Sequence, residues 1–421
     1  MKYSVLPVLF FFGFSFYVAV KTHGAQAFPS LLKVPTLLSF ASQYQTYEGP
    51  RDELTVHNEK PSKYKHIVYL IDESIRADYL TINDPGNPST PYLNSISDKL
   101  RNYGVTGACS NNSRVANFIL RTGSAVNTFP DEEQQISLHQ PTIFQYAQNA
   151  GYKTIFMDGQ KGELQNMMND RDLDFMDYVL LVEEDSLPYH EIDFRLADEL
   201  IGIMNQSNTS TFSYIVKYGA HFHYENCYPD DQKVFLPAME KVSLINDSIK
   251  MRNSYKNAVR WTVDEFCKYF LPKLPDSTLV VYTSDHGQTL MEHGIITTHW
   301  DLIDPSPLQA MVPLFFYSTD SSSHADFKYL DENINQVSHF NLFPSLVEIM
   351  GYSDSVVSSF THSTIFKPVN EERFFYSGKL FPNASNFRNE FDTKEIQTII
   401  NRLSPSQQIT PKKQDFTANA H

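Results

Sequence analysis

His66-Ile67-Val68-Tyr69-Leu70-Ile71-Asp72 is a short unbroken apolar run that stops at an acid. A run of this length, rich in β-branched and aromatic residues and without polar alternation, reads as a strand buried on both faces, the habit of a parallel sheet. The same pattern recurs along the chain. Lys153-Thr-Ile-Phe-Met157, Phe212-Ser-Tyr-Ile-Val-Lys-Tyr218, Leu279-Val-Val-Tyr-Thr283 and residues 312–317 read as further strands. Residues 142–150, after Pro141, and 255–270, ahead of Pro272 and Pro275, carry helical spacing, as do 115–120 and 340–350. Strands alternating with helices predict an α/β fold, a mainly parallel sheet with helices on both faces.

Composition supports one large folded unit. Hydrophobic residues make up 41% and charged residues 20% of the 421 positions, which excludes disordered, collagenous and low-complexity classes. The net charge of −15 argues against a nucleic-acid partner, which would call for a basic face. The three cysteines, Cys109, Cys227 and Cys267, lie far apart and form no Cys-x-x-Cys pair, which argues against a thiolate zinc site and allows one disulfide at most.

Tyr3 to Val20 is apolar and uncharged between Lys2 and Lys21, long enough to cross a bilayer as a helix. Ala25-Gln26-Ala27 is an acceptable cleavage site. Residues 1–27 are therefore a transmembrane anchor or a signal peptide, and either one exports the rest. Residues 28–60, rich in Pro and polar residues, read as a linker along the membrane surface. Residues 61–405 form the catalytic domain and 406–421 a flexible tail.

In such sheets functional groups gather at the carboxyl ends of the strands. The polar residues there are Asp72, Glu73, Asp158, His221, His223, Asp285 and His286. Carboxylates with imidazoles are ligands for zinc or a similar divalent ion. In Thr283-Ser284-Asp285-His286-Gly287, adjacent acid and imidazole on a strand-exit turn can both face one cation, although such turns also occur without one. Glu73 is a candidate third ligand. Asp72 is a ligand or, equally in keeping with its position, the N-cap of a following helix. Ser113 precedes the helical run 115–120. A hydroxyl there is either a plain N-cap or a nucleophile beside a phosphate held by the helix N-terminus and activated by a metal.

Taken in order, Ile71-Asp72-Glu73-Ser74-Ile75-Arg76-Ala77-Asp78-Tyr79-Leu80, then Thr90-Pro91-Tyr92-Leu93, Gly219-Ala220-His221, and Ser284-Asp285-His286-Gly287 with Gly294 and His299 resemble the phosphoethanolamine transferases of the alkaline phosphatase/sulfatase superfamily. The resemblance covers roughly residues 60–350. It implies a sulfatase-like domain with Glu73, Asp285, His286 and Ser113 as ligands of one zinc ion or two. It also implies His221 and His299 beside the phosphate. The implied reaction moves phosphoethanolamine from phosphatidylethanolamine to a sugar or lipid A acceptor through Ser113, at a bacterial inner membrane with the domain in the periplasm.

The chain departs from that family at several points. Against the family's Ser-Cys-Gly-Thr-x-Thr-Ala, counted from Cys109, the second Thr falls on Ser113, while Ser110, Asn111 and Arg114 replace Gly, Thr and Ala. Ile119 stands where the family has a second cysteine, and Gln288 where it has Glu. The family's several transmembrane helices are matched here by at most the one apolar run. The alternatives are a sulfatase, another phosphotransferase or phosphodiesterase of the superfamily, and a catalytically silent envelope protein. A formylglycine sulfatase needs Pro and Arg two and four positions after the nucleophile, where this chain has Val115 and Asn117.

Overall fold

The computed structural model describes residues 50–124, 136–160, 162–183, 186–240, 247–294, 298–299, 304–320, 326–378 and 386–403. The anchor or signal segment 1–27, the linker as far as residue 49 and the tail 406–421 lie outside these residues. No helix among the described residues is long and apolar enough to cross a membrane.

Seven strands form the central sheet: β1 (His66–Asp72), β2 (Leu100–Gly107), β3 (Lys153–Asp158), β4 (Tyr178–Leu181), β5 (Thr211–Val216), β6 (Thr278–Ser284) and β7 (Met311–Ser318), in the order β2-β7-β6-β1-β5-β3-β4. Strands β4, β3, β5, β1 and β6 run parallel, and β7 pairs antiparallel with both β6 and β2. β1 is the hub, with β5 on one side and β6 on the other, and all seven of its residues are buried. A second sheet pairs β8 (Phe374–Gly378) with β9 (Asn386–Glu390).

Strand alternation divides the core in two. Val68, Leu70, Ile155, Met157, Ile215 and Val280 face one layer. Ile67, Tyr69, Ile71, Phe156, Phe212 and Val281 face the other. Helix α1 is Ser113–Thr122, α2 Ile143–Asn149 and α3 Tyr189–Gln206. Helix α4 starts at Ser248, passes through a wide π turn (Arg260–Glu265) and continues to Phe270. Helix α5 is Leu342–Ile349 and α6 Lys394–Leu403. Helices α3 and α4 cover the first layer through Ile192, Leu196, Leu200, Met251, Tyr255 and Phe266. The second layer takes Leu120, Phe144 and Leu346 from α1, α2 and α5.

The fold departs from the sequence-based expectations in places. β2 was not expected. It contains Arg101, Asn102 and two glycines, and its register slips between Asn102 and Val105, where Gly104 takes φ 72°. Helix α3 carries buried Ile192, Leu196, Leu200 and Met204 at helical spacing, interrupted by enough acids to hide the pattern. Residues 50–60 are not a free linker. Arg51 is buried and bonds Asp172 at 2.8 Å, Leu54 and Val56 pack on the core, and Glu59 N–H donates to the Gly351 carbonyl. All three cysteines are buried and free, so the allowed disulfide is absent.

His66, at the opposite end of β1 from the acids, is buried with Nδ1 2.8 Å from Thr211 Oγ1. Burial first, then neighbouring Lys65, lowers its pKa from 6.5 to about 4. As pH falls through this window the unfolded chain takes up the proton before the folded one does. The contribution is therefore complete above pH 6.5 and is lost toward pH 4, at about 1 kcal/mol per pH unit. His66→Gln should flatten the acid limb of the stability curve by that slope, as read by urea unfolding at several pH values. An unchanged slope would place the acid sensitivity elsewhere.

Candidate active site

The exits of β1 and β6 are laced together. Asp285 N–H donates to the Asp72 carbonyl at 2.9 Å, Ser74 N–H to Asp285 Oδ1 at 3.0 Å and Ile75 N–H to Ser284 Oγ at 2.8 Å. Ser74 takes φ 63°, so the chain turns sharply rather than entering a helix. The helix-cap reading of Asp72 is therefore corrected: its Oδ2 accepts from Lys217 and from Tyr282. Gly287 is required on the other exit. A Cβ there would lie 2.3 Å from the Leu308 carbonyl and 2.7 Å from that of Met311, closer than any side chain can approach.

These turns bring Glu73, Asp285 and His286 together, all buried, with one ligand atom from each within 4.8 Å of the others. His286 Nδ1 lies 2.7 Å from the Gly287 carbonyl. A carbonyl only accepts, so Nδ1 carries the proton and Nε2 offers its lone pair to the cluster. That Nε2 is 3.4 Å from Glu73 Oε1 and 3.6 Å from Asp285 Oδ2. Asp285 Oδ1 accepts from two backbone N–H groups, those of Ser74 and His286. Its Oδ2 is buried and makes no hydrogen bond among the described residues. A buried carboxylate oxygen without a donor is costly unless a cation meets it, so this donor set fits a divalent metal ion.

Ser113 is the first residue of α1. The cap is Asn112, whose Oδ1 accepts from Arg114 N–H at 2.9 Å and Val115 N–H at 3.3 Å. The N-cap reading of Ser113 is thus corrected, and its hydroxyl is free for other work. Ser113 Oγ donates to Glu73 Oε2 at 3.2 Å and lies 3.1 Å from His286 Nε2.

Electrostatics set the two acids apart. Burial raises Glu73, but the neighbouring imidazoles, His286 first, then His221 and His299, outweigh it and hold Glu73 at about 2. Burial, then the Glu73 carboxylate, pushes Asp285 well above the ordinary range. Burial lowers His286, partly offset by Glu73. His299 stacks on His286 with centroids 4.1 Å apart, and burial followed by His286 holds it at about 3. Its Nδ1 makes no hydrogen bond among the described residues. His221 is exposed, with Nδ1 2.8 Å from the Phe222 carbonyl. His223 turns to Glu225 at 3.8 Å instead.

Three groups escaped the sequence reading. Gln160 Nε2 donates to Glu73 Oε2 at 2.8 Å, and Ser74 Oγ to Glu73 Oε1 at 2.6 Å. Gln288 Nε2 donates to the Ser74 carbonyl while its Oε1 accepts from Tyr224. This two-way contact needs an amide, which accounts for glutamine at that position. Gln160 stands two residues past β3, on the same sheet edge as the ligands, and that placement was its one available signal. At the missing cysteine, Ile119 and Cys109 join Val115, Phe118 and Phe340 in an apolar cluster.

Gly219 takes φ 57°, and a Cβ there would lie 2.3 Å from Asp72 Oδ1 and 2.7 Å from Glu73 N. Gly219→Ala should displace Glu73 and weaken divalent-metal binding by about tenfold or more. Isothermal titration with zinc measures it, and unchanged affinity would contradict the close packing.

A parallel sheet edge carrying two acids, an imidazole and a helix-borne hydroxyl defines the alkaline phosphatase/sulfatase-like class. The chain belongs to the Sulfatase family, which it matches over residues 65–352. It is 23% identical over 321 residues to the Kdo(2)-lipid A phosphoethanolamine 7''-transferase of Salmonella typhimurium, a match covering 72% of this chain and 55% of that protein. The chain thus spans about half the length of that curated relative. The C-terminal periplasmic domain of EcEptC from Escherichia coli shares the fold, with TM-score 0.64 and 18% identity over 82% of this chain and 97% of that one. That domain is also known in complex with Zn. The integral membrane protein lipooligosaccharide phosphoethanolamine transferase A from Neisseria meningitidis aligns with TM-score 0.61 and 18% identity over 82% of this chain and 66% of that one.

Proposed function

We propose that this chain is a zinc-dependent phosphoethanolamine transferase at a bacterial inner membrane, with its domain in the periplasm. It takes phosphoethanolamine from phosphatidylethanolamine, holds it on Ser113 and passes it to a sugar or lipid A acceptor. The observation that carries this reading is the single hydroxyl of Ser113, set at a helix start within 3.2 Å of both Glu73 and His286. The names of the relatives supply the group transferred and the acceptor class.

Glu73, Asp285 and His286, with Ser113 as a fourth donor, would hold the zinc, which when bound lowers the hydroxyl pKa and draws charge from the phosphoryl oxygens. The first turn of α1 adds its positive dipole end to the same place. Ser113 Oγ forms the new bond to phosphorus, and the bond from phosphorus to the diacylglycerol oxygen breaks. Ser113 Oγ gives up its proton as it bonds phosphorus, and the leaving oxygen takes one up, so the step is neutral in protons. His221, exposed at the rim, carries protons between pocket and water, and His299 lines the pocket against His286. In the second half an acceptor oxygen attacks the same phosphorus and Ser113 leaves.

Zinc-loaded protein should release diacylglycerol from vesicles containing phosphatidylethanolamine and much less from vesicles of phosphatidylglycerol. Equal release from both would replace the ethanolamine donor with another head group.

A further inference from the structure

Behind the ligands lies a charged cluster that the reaction above does not use. Lys217, one residue past β5, has no exposed side-chain surface. Its Nζ lies 2.5 Å from Asp72 Oδ2 and 3.5 Å from Asp193 Oδ2, donates to the Thr262 carbonyl in the π turn of α4, and sits over the Phe266 ring. Asp72 and Asp193 are themselves buried. Taking an ammonium and two carboxylates out of water costs roughly what their attraction returns, so such a cluster is weak evidence for stability. What it orients is the better account of its place.

Each acid holds backbone on one side of the site. Asp72 Oδ1 accepts the N–H of Glu73 at 3.0 Å. Asp193, on α3, accepts the N–H groups of Tyr218 at 2.7 Å and Gly219 at 3.2 Å, which begin the turn carrying His221. Ala220 N–H then donates to the Glu73 carbonyl at 3.1 Å, closing the loop between the two. Among the described residues, the ammonium joins Asp72, Asp193 and the π turn.

We propose that Lys217 is a positioning residue that locks the Glu73 ligand and the turn bearing His221 into one register, without touching substrate. This rests on the metal reading of Glu73, Asp285 and His286. Groups that orient first ligands typically change metal affinity by about 10- to 100-fold when removed.

The test uses zinc and cobalt(II) alone as probes, on the whole chain. Lys217→Met removes the ammonium but leaves two buried acids unpaired, so Asp72→Asn/Lys217→Met is the companion. It is neutral at that pair, and its asparagine still accepts from Glu73 N–H. The double variant is expected to melt cooperatively near the parent temperature, to bind zinc at least about tenfold more weakly in competition with a chelator, and to show an altered cobalt absorption band. Zinc affinity within about twofold of the parent, with an unchanged cobalt band, would overturn the positioning role while leaving the metal site standing. Parent protein that binds no zinc would overturn the metal reading and this inference with it.

Discussion

Ser113→Ala is expected to lower phosphoethanolamine transfer by at least about 10³-fold, because a missing nucleophile is not replaced by the rest of a site that acts with it. The fold should survive. Ser113 is not the cap of α1; Asn112 supplies both capping bonds, and the apolar face of the helix, Val115, Phe118 and Ile119, is untouched. Zinc should still bind through Glu73, Asp285 and His286, the three groups that converge without the serine. The measurement is turnover together with zinc content and melting temperature on one preparation. Transfer retained within about tenfold would move the nucleophile away from Ser113, whereas lost zinc would make the serine a structural ligand first.

Removing the metal is expected to have the second large effect, and its pH dependence carries a definite sign. In the absence of a cation, Asp285 and Glu73 face each other in a buried pocket. Asp285 is pushed well above 3.8 by burial and by Glu73, while Glu73 stays at about 2. An acid whose folded pKa exceeds its unfolded value stabilises the fold at low pH, and that contribution is lost as pH rises through the folded value. The metal-free protein therefore loses stability toward neutral pH, where two carboxylates share the site with no cation between them. Zinc relieves that repulsion and binds best when both acids are ionised. The gap in melting temperature between zinc-loaded and chelator-treated protein should widen from about pH 5 to about pH 8. A gap that is flat or that narrows would mean the two acids are not the metal's ligands. Asp285→Asn should close most of the gap at the upper pH and abolish transfer.

The parts of the molecule legible in the sequence are those where one physical demand dominates. β1 and β6 must be apolar on both faces, so 66–72 and 279–283 read as strands, and the polar residues at their ends fall where the sheet exposes them. Glu73, Asp285 and His286 were accessible for that reason. Illegible parts are those where demands compete. β2 carries polar residues and a kink because it lies at the edge of the sheet, paired only to β7. Of the adjacent acids, Glu73 reads as a ligand, whereas the role of Asp72 stays open between ligand and helix cap. One turns inward to Lys217 and the other forward to Ser113, a difference set by the left-handed turn at Ser74. Lys217 itself reads only as a residue within the expected strand 212–218, since nothing local indicates that acids from β1 and α3 meet it.

The central claim is a covalent one, and mass spectrometry reads it directly. Zinc-loaded protein is incubated with vesicles of phosphatidylethanolamine, quenched in acid and digested with trypsin, and the peptide 102–114 is fragmented. The account predicts one phosphoethanolamine group on Ser113, and none on Ser110, Thr106 or Tyr103 of the same peptide. Diacylglycerol released in many turnovers with that peptide unmodified, or with the group on another residue, would contradict it.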